Sequence, residues 1–383
     1  MAALSSAVVA GLGGIAWYFS SLAVSVDHST ERPVTAWPGP GGTVTLTKDH
    51  ESELPGRYGL DWDGGYGTVT TVTAPAPSAA TAASRGAASA DGTVTRRFEP
   101  GTGRLTAGTK VLLDSFAYQG DPRTALGLDF QDVAVPTQLG SMPAWYLPAT
   151  GDPTADRGRS WVVFVHGHDS NRQESLRYLT ALHRLRLPVL VVSYRNDVGA
   201  PAAPDGVDRL GDTEWQDVAA ALTWVKQAGA RDVVLAGWSM GGAVSLQAWD
   251  RSGLRGFVRG LVLDSPVLDW RDVLTFQGGV RGLPSPVTAL ALQTVRVRFG
   301  VDFDRLDWVT RNRELTAPML VFASDDDTYV PDGPAKRLAA ARPDLVTLVN
   351  VPGADHTRSW NVDQAGYEAH LARWLVALGA AAP

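Results

Sequence analysis

Residues 233–242 read Val-Val-Leu-Ala-Gly-Trp-Ser-Met-Gly-Gly. The apolar run Val233–Ala236 has the length and composition of a strand buried on both faces, and a helical stretch starts near Ala243. A serine between glycines at such a strand-to-helix junction is pushed out at the carboxyl end of the sheet. Gly237, Gly241 and Gly242 permit the sharp turn and the close packing that this requires. Ser239 is therefore the candidate nucleophile, and the backbone N–H of Met240 a candidate oxyanion donor.

Outward from this junction the same grammar repeats. Trp161–Val165, Val189–Ser193, Leu261–Leu263, Met319–Ala323 and Val346–Val349 are apolar strand runs alternating with helical stretches. Trp215, Val218, Leu222 and Val225 fall on one helical face just before the key strand. The pattern predicts an α/β domain over 129–383, with a mostly parallel sheet covered by helices. Residues 269–313 break the rhythm, and Pro284 and Pro286 open a helix predicted to run through Arg298, so a small helical cap over the site is expected there.

A serine hydroxyl needs a base within hydrogen-bond reach and a carboxylate to orient that base. His356 follows the late strand Val346–Val349 in the loop Gly353-Ala354-Asp355-His356, where it can fold back over the serine. His370 lies within the terminal helical stretch and reads as a surface residue. For the acid, the loop after Met319–Ala323 offers Asp325, Asp326 and Asp327. Asp327 is preferred, with Asp325 and then Asp264, at the end of Leu261–Leu263, as alternatives. The strand Trp161–Val165 runs into His166-Gly167-His168, so the His168 N–H is expected to complete the oxyanion hole with that of Met240. Neither the His166/His168 pair nor the acidic triplet has the spacing of a metal site, and no metal is expected.

The set His166-Gly167, Gly237-Trp238-Ser239-Met240-Gly241-Gly242, Asp327 with Val330-Pro331, and His356 resembles the α/β-hydrolase superfamily in its Ser, Asp, His order. The resemblance spans roughly 129–378 and is nearest to bacterial esterase and serine-aminopeptidase-like members. It implies a carboxylesterase-like enzyme without a cofactor, acting on a small ester, a lipid or a short peptide. An exopeptidase is the alternative, with Asp302, Asp304 and Asp307 available to hold a substrate amine, and a non-catalytic binding protein on the same scaffold is the remaining one. Ala323-Ser324 replaces the His-Gly pair that usually precedes the acid.

Farther out, 32–121 is rich in Thr, Gly and Pro, with alternating runs at Thr43–Thr47, Thr68–Thr73 and Thr93–Phe98 that read as edge-prone strands. A flexible linker is expected at 74–91, where large apolar side chains are almost absent. Residues 2–26 carry no charge and would reach roughly 37 Å as a helix, enough for a bilayer core of about 30 Å. A single-pass membrane anchor with an extracytoplasmic catalytic domain is expected, or a cleaved signal ending near Ala23 and Ser25, which would make the protein secreted.

The composition, 44% apolar and 19% charged, is that of a globular chain. A net charge of −6 without a basic track argues against nucleic acid as a partner, and the absence of cysteine excludes disulfides, thiolate metal sites and a cysteine nucleophile. No obligate protein partner is implied.

Overall fold

The computed structural model describes residues 13–26, 33–73, 92–150 and 153–382. The alternating Thr/Val segments form β1 (Val34–Gly39), β2 (Thr43–Thr47), β3 (Tyr58–Trp62), β4 (Gly65–Thr73), β5 (Thr93–Thr102) and β6 (Thr109–Asp114). They close into an antiparallel barrel of order β1-β2-β5-β4-β3-β6. Val44 and Leu46 point inward from β2, and Leu60, Val69 and Val111 meet them. The strands read as edge-prone are thus not edges. β1 pairs with both β2 and β6, and a closed barrel leaves no row of backbone donors unpaired. The expected linker at 74–91 lies outside the described residues.

The second unit is built on β7 (Gln131–Thr137), β8 (Gly140–Leu147), β9 (Ser160–Val165), β10 (Val189–Val192), β11 (Asp232–Trp238), β12 (Val258–Asp264), β13 (Met319–Ala323) and β14 (Val346–Asn350). The sheet order is β14-β13-β12-β11-β9-β10-β8-β7; β9 to β14 are parallel to one another, and β8 runs antiparallel to both β7 and β10. Successive side chains serve opposite faces. Val163 and Val165 join the core beneath helices Trp215–Gln227 and Met240–Arg251, while Val162 and Phe164 join the core beneath helices Leu176–Arg184 and Gln364–Ala377. Burial on both faces is why these strands are apolar without alternation. Between β12 and β13 the chain forms two cap helices, Trp270–Val280 and Ser285–Phe299.

The membrane segment expected at 2–26 lies partly outside the described residues. These begin at 13, and the described part of the segment is helical over 13–22. Among the described residues no helix is long and apolar enough to cross a membrane. The described helix instead packs on protein. Ala16 and Ser20, one turn apart, are buried, and Val24 beyond the helix joins the main core. The small and hydroxyl side chains that dilute the apolarity of this stretch are those that let it approach the cap. Arg298 of the second cap helix donates to the Trp17 carbonyl (3.0 Å), Ser20 Oγ (2.7 Å) and Ser21 Oγ (2.9 Å).

Candidate active site

The junction after β11 has the geometry its glycines require. Ser239 sits at φ +52°, ψ −121°, a strained conformation for a residue with a side chain, held by its N–H donating to the Asp264 carbonyl at 2.9 Å. A Cβ at Gly241 would collide with the carbonyls of Val165 and His166, so the helix Met240–Arg251 starts directly against the end of β9. Gly241→Ala is accordingly expected to destabilise the fold by about 1–3 kcal/mol and to displace Ser239, read as a lower urea midpoint together with lost activity.

Ser239 Oγ lies 2.8 Å from His356 Nε2, and His356 Nδ1 lies 2.8 Å and 3.1 Å from the two carboxylate oxygens of Asp327. Asp327 also accepts the N–H groups of Tyr329 and Val330 at 2.8 Å each, which locks the acid loop. Its neighbours face elsewhere. Asp325 pairs with Lys336 on the surface, and Asp326 accepts the Gly353 N–H. Asp264 is fully buried, pushed up to about 6 by that burial, and bonds Ser359 Oγ at 3.0 Å. Burial by itself lowers the His356 pKa, but the charge and hydrogen bond of Asp327 outweigh it and hold the imidazole above its ordinary value.

His168 lines the same pocket as Ser239, and Met240 opens a helix that has no side-chain cap, leaving its first N–H groups free of helical partners. The turn 166–168 is braced from behind: Glu174 Oε2 accepts the Gly167 N–H at 2.8 Å, and Tyr194 donates to the Gly167 carbonyl at 2.7 Å. His166 pairs with Asp197 at 2.7 Å, and His168 reaches Asp169 at 3.1 Å and Asp208 at 3.5 Å. Among the described residues no group of three or more His, Cys, Asp or Glu side chains is placed to hold a metal ion.

The barrel also reaches the site. Arg96 of β5 is fully buried, lies across the Tyr58 ring and donates to the carbonyls of Ser52 (3.2 Å), Leu54 (2.8 Å) and Gly56 (2.6 Å). These bonds shape the segment 50–57 that docks on the His356 loop. His50 Nε2 lies 2.9 Å from Asp355 Oδ2, Arg358 pairs with Glu51, and Asn361 donates to the Arg57 and Ser115 carbonyls. Asp355 additionally accepts the Thr328 N–H and hydroxyl, tying the acid loop to the histidine loop. On the far side Arg177, buried against the Trp238 ring, donates to the Thr357 carbonyl at 2.8 Å and Asn361 Oδ1 at 2.6 Å.

None of these braces is legible in the sequence, where His50 and Asp355 stand 305 positions apart. Burial alone would raise the Asp355 pKa, but the Thr328, His50 and Arg358 contacts hold it down at about 2. Because the folded value lies below the unfolded one of about 3.9, this contribution is complete above about pH 4 and is lost as the pH falls through 2. It amounts to roughly 2 kcal/mol. Asp355→Asn is expected to lower the urea midpoint at neutral pH and to flatten the stability profile between pH 4 and 2.

Residues 162–370, more than half of the chain, match the alpha/beta hydrolase family. The chain belongs to that family. The barrel region of this hydrolase, 33–114, matches a family described as a domain of unknown function. Two Mycobacterium tuberculosis sequences, both named as uncharacterized proteins, are each 29% identical over 232 residues, 59% of this chain and 72% of theirs. An esterase of Pyrococcus furiosus superposes with a TM-score of 0.54 at 17% identity, covering 68% of this hydrolase and 94% of the esterase. Esterase 2 of Thermogutta terrifontis, with butyrate bound, superposes with a TM-score of 0.52 at 20% identity, covering 67% and 96%. At these identities the likeness is one of fold.

Proposed function

We propose that this hydrolase cleaves small carboxylic esters through an acyl-enzyme on Ser239. The observation that carries the proposal is the continuous relay from Ser239 Oγ through both nitrogens of His356 to Asp327. In this mechanism Ser239 Oγ bonds to the acyl carbon as its proton passes to His356 Nε2, and Asp327 stabilises the imidazolium. The tetrahedral oxyanion is held by the N–H groups of His168 and Met240. Its collapse breaks the ester C–O bond, and the leaving alkoxide takes the proton from His356. Water then attacks the acyl carbon with His356 again as base, releasing the acid and restoring Ser239.

The esterase neighbours are consistent with this reading. The exopeptidase alternative draws no support from the cap carboxylates. Asp304 pairs with Arg271, Asp302 with Arg305, Asp307 accepts the Thr310 N–H, and none of the three lines the pocket over Ser239. Hydrolysis of p-nitrophenyl esters by wild type, Ser239→Ala and His356→Ala tests the proposal, which requires activity in the wild type and its loss in both variants. Full activity in Ser239→Ala would refute it.

A further inference from the structure

The pocket above Ser239 is walled by the two cap helices and by the N-terminal helix 13–22 with the residue that follows it. Phe19, Leu22 and Ala23 line it together with Val273, Leu292 and Val295. Its polar side chains are largely committed. Gln277 donates to the Thr328 and Tyr329 carbonyls, and Arg281 donates to Gln277 Oε1 at 2.6 Å. What faces the nucleophile is mainly hydrocarbon, the chemistry that receives an aliphatic chain.

This wall is held in place by contacts with the cap and with the catalytic domain. Those contacts are specific. The Arg298 guanidinium makes its three hydrogen bonds to Trp17, Ser20 and Ser21 while stacking 3.4 Å from the centre of the Trp17 ring. Past the helix, the buried Val24 accepts the Asp208 N–H at 3.0 Å through its carbonyl. The segment is thus pinned to the cap at one point and to the catalytic domain at another, with Phe19, Leu22 and Ala23 between or beside the pins.

We infer that this N-terminal helix is a specificity-determining wall of an acyl-chain site, latched by Arg298, and that it selects the length of the aliphatic acyl group delivered to Ser239. The inference rests on the ester-hydrolase proposal above. Phe19 and Leu22 are the specificity residues, and Arg298 acts through them as a positioning residue.

The test is kcat/KM for p-nitrophenyl esters from acetate to decanoate, measured on the full chain as wild type, Phe19→Trp, Phe19→Ala, Arg298→Ala and Arg298→Lys. Labelling by a fluorophosphonate probe is scored in parallel. The wild type is expected to show a chain-length optimum. Phe19→Trp should cut the decanoate-to-acetate ratio by about tenfold or more, as removing room for even one methylene does, and Phe19→Ala should move the optimum to longer chains. Arg298→Ala should flatten the profile, and Arg298→Lys, which keeps the charge without the planar fork, should restore it in part. Should Arg298→Ala fail to fold, the Phe19 pair decides.

A profile in the Phe19 variants that superposes on the wild type, with probe labelling intact, overturns the inference and leaves the ester-hydrolase proposal standing. A wild type that neither labels nor hydrolyses any ester in the series overturns both.

Discussion

Ser239→Ala is expected to lower kcat for a p-nitrophenyl ester by about 10⁴- to 10⁶-fold. The hydroxyl is the only group at the junction that can bond to an acyl carbon while in contact with His356 Nε2 at 2.8 Å. The Met240 and His168 N–H groups and the apolar pocket remain in the variant, so a residual rate above that of water and a KM near the wild-type value should persist. Removing Oγ relieves none of the φ strain at position 239, since alanine retains Cβ, and stability should change little. Steady-state kinetics with a urea midpoint check both statements. A drop in activity accompanied by unfolding would locate the loss in the fold instead of the nucleophile.

Asp327→Asn is expected to cost about 10³- to 10⁴-fold in kcat. Asparagine can keep the contacts with the Tyr329 and Val330 N–H groups, so the loop should survive, but an amide can present its NH₂ to His356 Nδ1 and stabilise the wrong tautomer. The pH profile separates this from a general loss. In the proposed mechanism the neutral imidazole is the base, so wild-type activity is expected to rise as the pH climbs through the elevated His356 pKa. Without the Asp327 charge, burial becomes the dominant influence and pulls that pKa down, so the acidic limb of kcat/KM should move to lower pH as the plateau falls. An unmoved limb would assign the base to another group.

How much of this site was legible depended on whether a local pattern carried it. The junction at 237–242 is legible because strand, glycines and helix are contiguous, and backbone sterics at Gly241 demand what the sequence displays. The loop positions of His356 and Asp327 after successive late strands are legible for the same reason: in a parallel sheet the carboxyl ends of β11, β13 and β14 lie on one edge. Which of Asp325, Asp326 and Asp327 turns inward is not a local property. It follows from the Tyr329 and Val330 N–H groups, the Gly353 N–H and Lys336, each claiming one carboxylate.

The packing of the N-terminal stretch was not legible for the same reason. An uncharged stretch with alanines and serines satisfies a hydropathy criterion whether its neighbours are lipid or protein, and only Arg298, Asp208 and the cap reveal which surface it covers. In the barrel, alternation marked three of the strands, but closure depends on β1 meeting β6 across more than seventy residues of chain.

By itself, then, the sequence determined the α/β layering of the second unit and the placement of Ser239 and His356 on its functional edge, because periodicity and turn chemistry act over a few residues. Tertiary structure alone decided the barrel's closure, the bracing of the His356 loop by His50 and Asp355, and the conversion of an apolar N-terminal stretch into a wall of the pocket. Those outcomes depend on contacts between residues from about seventy to about three hundred positions apart, whose free energy exists only once the chain has folded.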